Sequence, residues 1–156
     1  MSPQSPSSRL TALGITLPAA PKPVAAYIPA VRTGNLVFIS GQIPMRDGRL
    51  VATGPVPSQV AVEAAAEAAR QCVLNGLAVL AGMLEGDLDR VKQIVRLGVF
   101  VCSDPGFTEQ PKVANGASTL LQDIFGEAGR HARAAVGSVA LPLGATVEVE
   151  MLAEVR

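Results

Sequence analysis

Aromatic residues and histidine are scarce in this chain of 156 residues, which has no tryptophan, one tyrosine, four phenylalanines and one histidine. Proteins that bind single-stranded nucleic acid stack bases on aromatic side chains, and this composition leaves few such platforms. Basic and acidic residues are equal at 13 each, and no basic tract provides the positive surface that binds phosphates. We therefore expect no nucleic-acid partner.

Cysteine is also rare and has no metal-binding or disulfide spacing. The two cysteines, Cys72 and Cys102, lie in separate apolar segments, which predicts two buried thiols. With a single histidine, a zinc site would need carboxylates almost alone, so we expect no metal. The chain has no run of about 18 apolar residues and no signal-peptide pattern at its start, so we expect no membrane partner and a cytoplasmic location.

Apolar residues make up 49% of the chain and charged residues 17%, and the mean hydropathy is positive. This composition excludes a disordered chain and favours a folded domain whose surface is partly covered in an oligomer. We divide the chain into an N-terminal lead, residues 1–24, and one domain, residues 25–156. The lead is expected to be partly flexible, with a short helix from Arg9 to Leu13 that Ser8 caps.

Hydrophobic periodicity predicts an α+β domain with two long helices. The predicted strands are residues 27–32, 36–40, 50–53, 91–102, 132–140 and 146–155, and the predicted helices are residues 58–86 and 108–126. Two helices cover about one face of a mixed sheet. In the last strand the residues at odd positions from Val147 to Ala153 are apolar and are expected to meet the helices, while Glu148, Glu150 and Glu154 point the other way.

The stretch RHARAAVGSVALP, residues 130–142, places cations immediately before an apolar strand. A guanidinium beside a packed strand is costly unless an anion meets it, and that anion is either a carboxylate of the protein or a ligand.

Four stretches together resemble the RidA/YjgF family, also called the endoribonuclease L-PSP group. They are GNLVFISGQIP, the asparagine of KVANGAS, HARAAVGSVALP and VEVEMLAEV, and the resemblance covers about residues 25–156. It implies a chorismate-mutase-like fold with both long helices on one face of the sheet. It also implies a homotrimer with a barrel-like centre, ligand clefts between subunits and no cofactor.

The resemblance further implies an enamine/imine deaminase that hydrolyses 2-imino acids to 2-oxo acids and ammonia. It assigns catalytic roles to Arg133, which would bind the carboxylate of the ligand, and to Glu148, which would take a proton from water. The substrate-binding positions that it implies are Tyr27, Ser40, Gly41, Asn115 and Ala135. The ligand is then a small 2-imino or 2-oxo carboxylate.

Three features depart from the family pattern. His131 stands where many members have proline, Ala135 stands where they have cysteine, and the loop before Arg133 is one residue longer. Because the family cysteine acts largely through its backbone carbonyl, Ala135 is compatible with activity, but the departures bear on pocket size and substrate range.

Strand pairing bears on whether one chain holds the whole site. If the last two strands form a hairpin that turns at Leu143 and Gly144, Arg133 lies opposite Glu154. Glu148 then lies about 20 Å further along the strand, too far to share a small ligand with Arg133. We therefore predict that a neighbouring subunit completes the site.

Each candidate residue also has a structural interpretation. Arg133 can pair with Glu150 or Glu154, Glu148 can be a solvated strand residue and Tyr27 a core residue. Asn115 can be a surface amide, Ser40 and Gly41 a strand exit, and His131 a loop residue. Two other functions stay open: a non-catalytic carboxylate-binding trimer, and RNA cleavage, which the composition disfavours.

Overall fold

The computed structural model describes residues 4–20 and 26–156. Its helices are α1 (Pro6–Ala12), α2 (Val62–Met83) and α3 (Gln110–Phe125). Its strands are β1 (Ala30–Thr33), β2 (Leu36–Gln42), β3 (Met45–Arg46), β4 (Arg49–Leu50), β5 (Val91–Cys102), β6 (Ala132–Ser138) and β7 (Val147–Val155). The predicted order of long elements is confirmed.

A mixed five-stranded sheet in the order β1-β2-β7-β5-β6 carries α2 and α3 on one face. The alternation in β7 does what the sequence predicts, because every odd-numbered residue from Val147 to Val155 is buried. Helix α2 lies over β2 and β7, and α3 lies over β5 and β6. The apolar faces of the two helices and the sheet close one core, so the predicted two-layer α+β arrangement is confirmed.

Two tight hairpins form where the turn residues predict them. Strands β1 and β2 pair with Thr33 opposite Leu36, so Gly34 and Asn35 make the turn. Strands β3 and β4 pair with Arg46 opposite Arg49 around Asp47 and Gly48, both of which have positive φ. Asp-Gly suits this backbone because Gly has no Cβ and Asp tolerates the left-handed region.

Both long helices begin later than the sequence indicates. Ser58 does not start α2, because its backbone N–H and its hydroxyl bond the carboxylate of Asp104 at 2.8 and 2.9 Å. Helix α2 begins after Ala61 instead. Thr108 is likewise not the N-cap of α3, which begins at Gln110 with a proline in its first turn.

The N-terminal helix is displaced by about one turn from its predicted position. Ser5 caps α1 by accepting the N–H of Ser8, so the predicted Ser8 cap is wrong. The helix packs on α3, and its Leu10 is buried. Part of the proline-rich stretch after it, residues 21–25, lies outside the described residues.

The predicted hairpin between the last two strands is wrong. Strand β6 pairs with β5 in parallel, and β5 separates it from β7. Helix α3 makes the crossover between the two parallel strands, as a βαβ unit requires. The register that placed Arg133 opposite Glu154 therefore does not exist, and Arg133 lies opposite Leu97.

The sheet face opposite the helices is not covered by any described part of the chain. Phe38, Val31 and Val136 on this face are 47%, 49% and 46% exposed. The acidic side chains of β7 lie among them, and two are paired: Glu150 with Arg96 and Glu154 with Lys92. An exposed apolar surface with charged residues at intervals is typical of an interaction surface.

Cys72 and Cys102 are buried free thiols, as predicted. Burial raises the pKa of both thiols. Within the described residues, no helix has both the length and the apolar character needed to cross a bilayer.

The close contact between α2 and α3 depends on Gly116. A Cβ at this position would overlap the Ala66 carbonyl oxygen and lie 2.6 Å from its carbonyl carbon. We expect Gly116→Ala to lower the free energy of unfolding by roughly 1–3 kcal/mol, because two backbones must separate. Gly82→Ala is the matched control, since nothing lies within 4 Å of its added methyl group, and it should be neutral or slightly stabilising. Urea unfolding at one fixed chain concentration measures both, and equal midpoints would contradict the prediction.

Candidate active site

Arg133 lies on the edge strand β6 and points to the side of the sheet that carries α3. Its Nη1 donates to Asn115 Oδ1 at 2.9 Å and to Ser118 Oγ at 3.0 Å. Its Nη2 donates to the Pro111 carbonyl oxygen at 3.5 Å. The guanidinium is therefore held by three neutral oxygens of one helix.

Helix periodicity explains why these three acceptors converge. Pro111, Asn115 and Ser118 are four and three residues apart, so they share one face of α3. That face lies near the edge strand β6, because α3 packs over β5 and β6. The asparagine implied by the family resemblance therefore contacts the predicted arginine and is more than a surface amide.

No carboxylate neutralises Arg133 among the described residues, where four ion pairs form and none includes it. The two acids proposed as alternative partners are engaged elsewhere in the chain: Glu150 with Arg96 at 3.0 Å and Glu154 with Lys92 at 2.7 Å. The positive charge of Arg133 therefore stays available to an external anion.

The contacts of Arg133 also leave part of its hydrogen-bonding capacity unused. A guanidinium has five N–H donors. Both hydrogens of Nη1 and one of Nη2 are used by the helix acceptors, which leaves Nε–H and one Nη2–H without an acceptor among the described residues. Nε and Nη2 lie along one edge of the guanidinium, and two donors along an edge match the two oxygens of a carboxylate.

Ser118 and His131 extend this cluster, and the sequence analysis did not assign them to the site. Ser118 Oγ lies 2.9 Å from His131 Nε2, and His131 Nδ1 lies 2.6 Å from the Gly129 carbonyl oxygen. Ser118 is buried, at 7% exposure. A buried serine one turn after Asn115, among apolar neighbours, was the signal in the sequence that could have identified it.

The environment of His131 favours its neutral form. Burial lowers the pKa of His131, the hydrogen bond to Gly129 opposes this, and the charge of Arg133 lowers the pKa further. His131 lies in the loop before β6, as expected, and is a half-buried member of a hydrogen-bonded group there. We call Asn115, Ser118, His131 and Arg133 the arginine cluster.

Ala135 lies two residues after Arg133 on β6, opposite Val99 of β5. It is partly buried and packs against the core. Its side chain is on the same side of the sheet as Arg133, which keeps its methyl group near the arginine cluster.

Glu148 lies on the opposite face of the sheet, next to Gly41. Strand β2 bulges between Ile39 and Gln42, where it pairs with β7. A Cβ on Gly41 would lie 2.9 Å from the Glu148 carboxyl carbon, so only glycine leaves room for this carboxylate. Ser40 and Gly41 are therefore more than a strand exit. They form a bulge, and the Glu148 carboxylate packs against Gly41.

Burial raises the pKa of Glu148, and the nearby charge of Glu150 raises it further. Glu148 makes no ion pair with any described residue. A half-buried carboxylate with a raised pKa and no cation beside it has the properties expected of a general base.

Tyr27 and Ser40 lie at the same end of β2 as Glu148. The Ser40 hydroxyl donates to the Ile28 carbonyl oxygen at 3.0 Å, which ties β2 to the segment before β1. Tyr27 is 47% exposed and so is not a core residue. It lines a cleft of about 550 Å³ together with Gly41, Pro29, Ile43 and Arg46. We call Tyr27, Ser40, Gly41 and Glu148 the glutamate cluster.

One chain does not bring the two clusters together. Arg133 faces the helices, and Glu148 faces the opposite side of the sheet. Glu148 lies opposite Phe100 and Arg133 opposite Leu97, so the two positions differ by two strands and three residues. At about 4.8 Å per strand and 3.3 Å per residue, their Cα atoms are about 14 Å apart. The two residues are therefore separated within one chain, as predicted. The separation comes from the order of strands β7, β5 and β6 and not from the predicted hairpin.

Comparisons with known proteins identify the family. The sequence model of the family described as "YjgF/chorismate_mutase-like, putative endoribonuclease" matches residues 7–155. Protein TCP17 of Trypanosoma cruzi is 47% identical over 151 residues, covering 96% of this chain and 94% of the relative. The 2-iminobutanoate/2-iminopropanoate deaminase of Dermatophagoides farinae is 31% identical over 140 residues, covering 88% of this chain and 92% of the relative.

A solved structure agrees with these sequence matches. The crystal structure of protein Atu1372 from Agrobacterium tumefaciens is 44% identical and superposes with a TM-score of 0.90, covering 97% of this chain and 92% of the other. The chorismate-mutase-like fold that the resemblance implies is confirmed by this match and by the family description. Because the family model and a relative that is 47% identical both match nearly the whole chain, the chain belongs to the YjgF family.

Proposed function

We propose that this protein is an imine deaminase that hydrolyses small 2-imino acids to 2-oxo acids and ammonia in clefts between the subunits of a homotrimer. The observation that carries the proposal is Arg133, a cation held in place by neutral oxygens with two N–H donors left over. A relative that is 31% identical is a 2-iminobutanoate/2-iminopropanoate deaminase, which supports this substrate class.

Arg133 supplies the binding of the substrate carboxylate. Nε–H and the second Nη2–H donate in parallel to the two carboxylate oxygens, while the contacts with α3 keep the guanidinium in place. Hydrogen bonds to charged groups contribute roughly 1.5–3 kcal/mol each. Such an anchor fixes the imine carbon at one distance from the arginine, which is the orientation that hydrolysis needs.

A second copy of the chain supplies the glutamate cluster. The uncovered sheet face with Val31, Phe38 and Val136 provides an apolar surface on which copies can pack. Arg133 lies on the edge strand β6, whereas Gly41 and Glu148 of the glutamate cluster lie on β2 and β7, on the other side of β5. An interface that joins unlike patches forms a ring when its rotation closes, and each cleft of such a ring takes one cluster from each neighbour. The family resemblance implies a ring of three.

Glu148 supplies the proton transfer. The oxygen of a water molecule adds to the imine carbon, and Glu148 takes a proton from that water and passes it to the imine nitrogen. The resulting carbinolamine collapses to the 2-oxo acid and ammonia. A positioned base contributes about 10²–10⁴ in rate, which suffices for an imine that is already electrophilic. Addition of water and loss of ammonia need only proton transfers, which side chains of the protein can supply.

Replacement of the anchoring arginine should abolish binding. Arg133→Ala should reduce kcat/KM for 2-iminobutanoate by about 100-fold or more, because two charge-assisted hydrogen bonds are lost. Arg130→Ala is the matched control: Arg130 is three residues earlier in the chain and makes only an exposed ion pair with Glu127. The assay follows 2-oxo acid release in a coupled system with an amino-acid dehydratase or oxidase that generates the imine. Equal rates for the two variants would disprove the role of Arg133, and ligand binding without turnover would make the protein a binding trimer.

The pH dependence of the reaction should report Glu148. A base acts only when deprotonated, and burial raises the pKa of Glu148, so kcat/KM should fall as pH decreases through that raised pKa. Glu150→Gln should move this limb to lower pH, because the charge of Glu150 also raises the pKa of Glu148. Glu148→Gln should be slow and lack the limb. A limb that persists in Glu148→Gln would assign the base to another group.

Subunit mixing tests the location of the site. Arg133→Ala and Glu148→Gln should each be inactive alone. Co-expressed in equal amounts with different affinity tags and purified as mixed trimers, they should recover roughly a third of the wild-type activity, because one cleft in three of each mixed trimer then holds both intact residues. The relative amounts of the two chains are measured by mass spectrometry. Mixed trimers that stay inactive would place both residues in one chain.

A further inference from the structure

The arginine cluster contains a hydrogen-bonded chain from Arg133 through Ser118 and His131 to the backbone of Gly129. We propose that Ser118 and His131 are positioning residues that hold Arg133 with its Nε–H and Nη2–H donors turned toward the ligand. The proposal rests on the proposed function, since it concerns how the same arginine binds a carboxylate.

The direction of each hydrogen bond in this chain follows from the atoms involved. The Gly129 carbonyl oxygen only accepts, so His131 Nδ1 carries the hydrogen of the 2.6 Å contact. In a neutral imidazole, Nε2 is then an acceptor, and the Ser118 hydroxyl donates to it across 2.9 Å. With its single hydrogen directed at His131, Ser118 Oγ presents lone pairs to Arg133 Nη1 at 3.0 Å.

This arrangement has a consequence for Arg133. A serine hydroxyl rotates freely when nothing holds it, and in some rotamers its hydrogen points at the guanidinium and repels it. The neutral ring of His131 removes those rotamers by accepting the hydrogen. Since Asn115 Oδ1 and Ser118 Oγ together take both hydrogens of Nη1, they fix the plane of the guanidinium, and the edge with Nε stays free.

The surroundings maintain this state. The pKa of His131 is lowered, mainly by burial, which keeps the ring neutral near pH 7. The charged groups near the ring are Arg133, which lowers the pKa, and the exposed Arg130–Glu127 pair in the same loop. Gly129 permits the close approach, because a Cβ there would lie 2.6 Å from the Leu121 carbonyl carbon. A side chain at that position would push the loop away from α3.

Ser118→Ala is the main test, with Thr119→Ala as the matched control, because Thr119 is the next residue of α3 and is exposed. For Ser118→Ala we expect binding of 2-oxobutanoate about tenfold weaker, the size of one lost charge-assisted hydrogen bond. KM should rise by a similar factor with kcat nearly unchanged, which is the signature of lost ground-state binding. Thr119→Ala should bind as wild type does. Isothermal titration calorimetry and steady-state kinetics measure these values.

His131 gives a second readout that does not depend on activity. It is the only histidine in the chain, so long-range ¹H–¹⁵N correlation spectra report its ring alone. Wild type should show the Nδ1–H tautomer near neutral pH. In Ser118→Ala the pKa of His131 should rise, because its neutral form loses a donor, and Thr119→Ala should leave it unchanged.

A pair of substitutions at His131 keeps the proposal testable if Ser118→Ala does not fold. Gln has a side-chain oxygen that can accept the Ser118 hydrogen, so His131→Gln should retain most of the binding, and His131→Leu should lose it. Equal binding in these two variants, or wild-type binding in Ser118→Ala, would overturn the positioning role. If Arg133→Ala binds 2-oxobutanoate as wild type does, the proposed function fails instead, whatever the spectra of His131 show.

Discussion

The central position of β7 is the constraint on which the rest of this structure depends. Flanked by β2 and β5, the strand has both backbone edges paired, and its odd-numbered side chains close the core under the two long helices. Its even-numbered residues then have only the other face of the sheet, and three of them are glutamates. Burial of one parity thus forces a line of carboxylates onto the face that the described part of the chain leaves uncovered.

The same constraint explains which parts of the fold were predictable. The long helices and the strands β2, β5 and β7 are local patterns, with period 3.6 or 2, and their positions follow from the sequence to within a few residues. The pairing of β6 is not a local property. Leu143 and Gly144 do form a turn with positive φ, but both edges of β7 are taken by β2 and β5, so β6 must pair on the far side of β5. A turn signature shows that the chain bends there, and it does not identify the strand that comes next to it.

The site was predictable in the same uneven way. The resemblance named Arg133 and Asn115, and the structure joins them by a hydrogen bond of 2.9 Å. It named Gly41 and Glu148, and the structure packs the carboxylate over the glycine. Ser118 and His131 were missed, because the hydroxyl and the ring acquire their partners only when α3 folds over β6 and brings the loop before Arg133 against the helix. Helical spacing alone places Ser118 beside Asn115, so a polar residue on the predicted buried face of α3 is the sequence signal for this part of the site.

The sheet also explains why Arg133 and Glu148 keep opposite charges without neutralising each other. Within one chain the cation is on the helix side and the carboxylate on the open side, and strand β5 lies between their strands. Neutral oxygens hold Arg133 and orient its guanidinium without cancelling the charge. A carboxylate partner would cancel it. Glu148 has no cation beside it, and burial raises its pKa, so its carboxylate is a stronger base than that of an exposed glutamate. A ligand with one carboxylate and one electrophilic carbon complements such a pair, because its anion belongs at the arginine and its reacting atom at the glutamate. The separation of the two groups within each chain therefore preserves both reactivities, which is what the proposed cleft between subunits requires.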